Sequence, residues 1–260
     1  KIIIFTILIM ASCGLWGISR SEIIDKACIS LGKAVSGICE SHGVDHGKQV
    51  LDHVIKAIQV HSPPLDPEQE TLIMLAALLH DADDAKFFKP VENGPTNAET
   101  ILKACSNEKI SPEQTQFVNM LIGFVSCSKN HNDIPCEAKN HPEYLYPRHA
   151  DRLEAIGEIG AVRCCQYNRT TGAPLFVEST PRPKNEEELQ GFIDPVRFQN
   201  YRSCSASMMD HYYDKLLHLS EFESGNEYLD KEAAVRGQIM RDICIYFGQH
   251  GELHPILAKA

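Results

Sequence analysis

The body of the chain contains no uninterrupted apolar run of about 20 residues, the length a helix needs to cross a bilayer, so no internal membrane span is expected. Sustained alternation of apolar and polar residues is missing too, as is any short turn between β-branched runs. That removes the usual marks of strands and hairpins. Basic charge is scarce, with 25 Lys and Arg against 35 Asp and Glu and a net charge of −10. Such a balance weighs against a surface that coats nucleic acid, which needs clustered cations. It does not weigh against a small phosphorylated substrate, which needs only a few local cations. None of the 10 cysteines stands in a CxxC pair, and 10 in 260 residues is too sparse for a disulfide scaffold. Cys127, His131 and Cys136 fit no standard zinc spacing, so free and mostly buried thiols are expected. No internal repeat is found.

What is present reads almost entirely as helix. With 43% hydrophobic and 23% charged residues the composition is ordinary for a globular chain, and the length suits one large domain or two small ones. Residues 21–40 place Ile23, Ala27, Leu31 and Val35 on one stripe, and 45–60 do the same with Val50, Leu51, Val54 and Ile58. Asp66-Pro67-Glu68 and Ser111-Pro112-Glu113 are helix starts, each with a capping side chain, Pro in the first turn and an acid near the positive end of the dipole. Further helices are predicted over 96–105, 142–163, 204–223 and 227–248. The irregular stretch, about 166–203, is long for a compact domain, where such loops are functional or disordered. The expectation is one all-α domain over 20–250 with a long loop before its last two helices, and a short tail at 251–260. Residues 1–19 begin KIIIFTILIMASC, with an apolar core of signal-peptide length. A start at Met10 and a short buried helix are the competing readings. The rest of the chain reads as cytoplasmic.

Residues that suit a metal fall in helical contexts at ordered places. His42 and His46 are four apart, about 40° around a regular helix. His80-Asp81 closes the apolar run Leu75–Leu79, and Asp151 enters a later helix. Two imidazoles and two carboxylates form a mixed nitrogen and oxygen set. It suits a six-coordinate Mn²⁺, Fe²⁺, Co²⁺ or Ni²⁺ better than a closed structural zinc site. Taken singly, each residue has a plainer role: a core histidine, a chance dipeptide, a helix cap, or solvated lysines at Lys86 and Lys129.

The ordered combination H…HD…D resembles the HD superfamily of metal-dependent phosphohydrolases, in particular its small single-domain members. The matching pieces are DHGKQVLDHV, LAALLHDADDAKF and HADRLEAIGEIGAVR, with MMDHYYDKLLHL and the last amphipathic helix alongside. The similarity spans roughly residues 20–250. It implies an all-α HD-domain helical bundle and the metal ligands His46, His80, Asp81 and Asp151. It also implies proton handling by Asp84 and His42, and phosphate binding by Lys86, Lys129, Arg152 and Arg163. One divalent metal is expected, Mn²⁺ first, with Fe²⁺, Co²⁺, Ni²⁺ or Mg²⁺ as others. Where the family commonly has Asp-Ala-Asp-Arg-Leu, this chain has His149-Ala150-Asp151-Arg152-Leu153, which lowers the local negative charge.

The implied activity is hydrolysis of a nucleotide or another small phosphate ester by metal-activated water, either releasing pyrophosphate or acting as a phosphatase. Two other readings stay open. A di-iron oxygenase of the same fold would need two of His131, His141 and His149 to hold a second metal. A non-catalytic nucleotide-sensing module would keep the scaffold without turnover. Asp83 receives no role beyond a solvated cap.

Overall fold

The computed structural model describes residues 15–35, 43–84, 88, 94–130, 132–201 and 204–259. The described residues form helices and no strand, as the missing alternation predicts. No helix among them is long and apolar enough to cross a membrane. Contacts divide the chain into two compact units, residues 1–123 and 124–260.

In the first unit, α1 (Arg20–Ala34), α2 (Val44–Gln59), α3 (Pro67–Leu79) and α4 (Asn97–Cys105) precede α5 (Pro112–Val125), whose last residues enter the second unit. α3 is the centre: Thr71 to Leu79 are buried at every position. A helix apolar all round must be enclosed, and α1 and α2 both pack on it. Each fully buried Leu or Ile there contributes about 1.5–3 kcal/mol relative to exposure. Asp66 starts α3 as the sequence predicts, its carboxylate accepting from the N–H groups of Glu68 and Gln69 at 2.9 and 3.3 Å, with Pro67 behind it. The close approach of α2 to α3 depends on Gly47. A Cβ at that position would stand 2.7 Å from the carbonyl oxygen of Leu78.

The second unit contains α6 (Cys127–Asn130), α7 (Tyr146–Ala155), α8 (Gly157–Thr171), α9 (Glu186–Gln190) and α10 (Pro195–Asn200). α11 (Met208–His211), a π-helical turn (Tyr212–Leu216), α12 (Leu217–Leu219) and the long α13 (Glu227–His250) complete it. α7, α8 and α13 pack on one another. The helix predicted over 142–163 is broken in two, because Ile156 is extended and Gly157 takes φ +75°, a left-handed value that favours glycine. The stretch 166–203 continues α8 to Thr171 and then holds α9 and α10. The Asn185 side chain starts α9 by accepting from the N–H of Glu188 at 2.9 Å, and Asp194 with Pro195 starts α10 in the same way. The stretch is also pinned to α11 and to the π-helical turn after it. Thr180 and Ser207 donate to the buried Asp210 at 2.8 and 2.5 Å, and Arg197 pairs with Asp214.

Candidate metal centre

His46 lies in the first turn of α2, and His80 and Asp81 follow the last turn of α3. The sequence separates them by more than 30 residues, and the Gly47 approach brings them together. Nε2 of His46 and of His80 lie 3.9 and 3.5 Å from Oδ2 of Asp81. The two rings meet edge to face, their centres 5.1 Å apart. One ligand atom from each residue lies within 4.8 Å of the other two. These separations are too long for good hydrogen bonds. They are somewhat wider than the roughly 3 Å between neighbouring donors around an ion bound at about 2.1 Å. Both imidazoles are buried, at 6% and 9% exposure, while Asp81 keeps a 29% exposed side chain.

The protonation of His80 follows from its anchor. Its Nδ1 is 2.8 Å from the Ala77 carbonyl oxygen, which can only accept, so Nδ1 carries the proton. Nε2 then keeps its lone pair on the side of Asp81, the arrangement a metal-ligating histidine takes when its other nitrogen is held by a carbonyl. The donor set of two imidazoles and one carboxylate fits a divalent transition metal.

The turn after Asp81 is tightly built. The N–H of Ala82 donates to the Leu79 carbonyl at 2.9 Å and that of Asp84 to the Asp81 carbonyl at 3.2 Å. Asp84 is half-buried, three residues beyond Asp81. Asp83 does serve as a cap, though of α4: its two oxygens accept from the N–H groups of Asn97 and Ala98 at 2.7 and 3.0 Å. His53 is buried in the same stripe of α2 but is no member of the group. His42 and Lys86 lie outside the described residues, as does His131.

The remaining predicted residues belong to the second unit. Asp151 is half-buried on α7, next to the buried Arg152. Burial pushes the Arg152 pKa down, and the neighbouring Cys127 and Asp151 act the other way. Arg163 on α8 donates to the Glu154 carbonyl at 3.3 Å, and Lys129 on α6 is exposed. Of the interval histidines, His141 stacks on Tyr144, its Nδ1 3.1 Å from Glu143. His149 is buried and stacks on Phe222 with ring centres 4.3 Å apart. Burial, with Arg152 and Arg148 nearby, holds its pKa well below the ordinary value and keeps the ring neutral. Among the described residues, His46, His80 and Asp81 form the one group placed to hold a metal. Sequence reasoning missed the Ala77 anchor, the Gly47 approach and the fact that Asp83 caps α4; only the glycine beside His46 left a visible signal.

No family model matches the chain. An uncharacterised protein of Acanthamoeba polyphaga mimivirus is 39% identical over 219 residues, covering 79% of this chain and 88% of the relative. Among solved structures, a Lactobacillus plantarum protein aligns with TM-score 0.60 at 21% identity, covering 88% of this chain and 96% of that one. An HD-superfamily hydrolase of Bacillus thuringiensis aligns over the same shares with TM-score 0.58 at 20% identity. A Listeria innocua protein aligns with TM-score 0.55 at 23% identity, again over those shares. The chain belongs to one family with the mimivirus protein, and its fold is that of these solved structures, an HD-superfamily hydrolase among them.

Proposed function

We propose that the protein is a metal-dependent phosphohydrolase that acts on a nucleotide or another small phosphate ester. The observation that carries this reading is the convergence of His46, His80 and Asp81, with the His80 tautomer fixed for ligation by Ala77. Asp151 is the fourth ligand in this reading, taken from the family resemblance. A divalent metal in such a site supplies Lewis acidity and a water acidic enough to serve as nucleophile near neutral pH. Asp84 is the group that orients the attacking water and takes up or returns its proton. Arg152 and Arg163 bind the phosphate oxygens and offset the negative charge that grows on them during transfer. His42, Lys86 and Lys129 are assigned to the substrate by the same resemblance. The described cysteines carry free thiols, which suits a reducing, cytoplasmic setting.

The test is a phosphate- and pyrophosphate-release screen over nucleotides with Mn²⁺, Co²⁺, Ni²⁺ and Mg²⁺, run beside elemental analysis. Metal near one per chain and turnover of at least one phosphate compound are expected. His80→Ala and Asp81→Ala should lose both together, with rates down by about three orders of magnitude or more. Full activity in either variant would show that the site is misplaced. A metal-replete protein inert towards every phosphate compound would favour the sensing reading.

A further inference from the structure

We propose that Asp83 and Asn97 form a positioning clamp that holds the Asp81 ligand in place through the start of α4. The inference rests on the metal reading above and assigns work to two residues which that reading leaves unused.

α4 already has a complete cap of its own. Thr96 accepts from the N–H of Glu99 at 3.2 Å, and the Glu99 carboxylate accepts from the N–H of Thr96 at 3.2 Å. This reciprocal box is what a helix of this length ordinarily uses to start. Asp83 adds a second anion at the same end and takes the two N–H groups the box leaves over, those of Asn97 and Ala98. Asn97 answers by donating its side-chain Nδ2 to the Ala82 carbonyl at 2.9 Å. Three hydrogen bonds therefore join two adjacent residues of the ligand turn to two adjacent residues of α4. Both directions of donation are used, so neither segment can slide or rotate without breaking one of them.

The clamped peptide, Ala82–Asp83, follows Asp81 directly. On its other side the N–H of Ala82 is tied to Leu79, the last residue of α3. Ala82 is buried, at 1% exposure, so its carbonyl needs a protein partner, and Asn97 supplies it. The Asp81 backbone is thus fixed from both ends, while its side chain remains partly open. A carboxylate ligand on a short turn after a helix would otherwise be the least constrained of the three. His46 lies within α2, and His80 is anchored to Ala77.

Co²⁺ titration of the metal-free protein separates positioning from mere stabilisation, because the visible absorption of Co²⁺ reports ligand geometry. The wild-type chain should give a saturable Co²⁺ spectrum. Asp83→Ala should weaken Co²⁺ binding by about 10-fold to 100-fold, the range for groups that orient ligands from behind. Its bands should also shift or lose intensity. Asn97→Ala, which keeps the helix and removes only the bond to Ala82, should show a smaller change of the same sign, and it keeps the test open should Asp83→Ala fold poorly. Asp83→Glu should recover part of the affinity. An unchanged Co²⁺ affinity and spectrum in Asp83→Ala or Asn97→Ala, whatever their melting temperatures, would overturn the clamp and leave the metal reading intact. A wild-type chain that gives no Co²⁺ spectrum would overturn the metal reading, and the clamp with it.

Discussion

At the end of α3, two buried imidazoles and a partly open carboxylate bring one ligand atom each within 4.8 Å of the others, beside an apolar helix. On α7, in the other unit, the buried polar groups include two cations beside the neutral His149 and the Glu154 carboxylate. Arg148 and Arg152 are 1% and 2% exposed, and His149 lies beside Arg148. The set of donor atoms at the end of α3 fits a cation. The Arg148 guanidinium, by contrast, is answered by the chain itself, donating to the carbonyls of Asp133 and Asn130 at 2.7 and 3.4 Å. Burial, helped by Arg152, pushes its pKa down to about 10, yet it stays charged near neutral pH. Buried charge is therefore not a uniform mark of chemistry. In one region it points to an outside partner; in the other, part of it braces a loop.

The largest effect that can break this contrast is on rate. Asp84→Asn should keep the bound metal and lose turnover by about 10²–10⁴-fold, the usual worth of a general acid or base. Elemental analysis beside the hydrolysis assay decides it, since loss of metal would make Asp84 a ligand. Next comes Arg148→Met, expected to cost about 3 kcal/mol of stability by leaving two backbone carbonyls without their charged donor. Urea unfolding measures it, and metal affinity should not move. A variant with wild-type stability and a poor rate would place Arg148 in the substrate site instead.

Much of this is legible in the sequence alone. The ordered histidines and acids carry the resemblance to the HD superfamily, and Asp66-Pro67 marks the start of α3 because a capping acid and a first-turn proline act locally. The helix break at Gly157 and the starts of α9 and α10 were harder to see. Gly157 looks like any helix glycine until its positive φ is known, and the caps at Asn185 and Asp194 lie inside a stretch that reads as loop. The Asp83–Asn97 pairing was not legible at all. It joins residues 14 apart across a segment without periodicity, and only the placement of α4 makes Asp83 a cap for another helix.

The smallest expected effect concerns pH and belongs to the second unit. Burial, with Lys215 nearby, pushes the His211 pKa down to about 4, and the ring also lies against Tyr201. In the unfolded chain the same imidazole titrates near its ordinary value of about 6.5. As pH falls below about 6.5 the unfolded state takes up the proton first, so stability decreases until the folded ring protonates near 4. The contribution is thus fully present above about 6.5 and lost towards 4, about 2 kcal/mol of it by pH 5. Melting temperatures at pH 7.5, 6 and 5 should fall less steeply in His211→Gln than in the wild-type chain. The slope should not vanish, because burial lowers the pKa values of His149 and His218 in the same direction. An identical slope in the variant would mean that His211 is not held neutral by its surroundings. Acid sensitivity that tracks His211 separates stability of the second unit's framework from chemistry at the His-Asp turn.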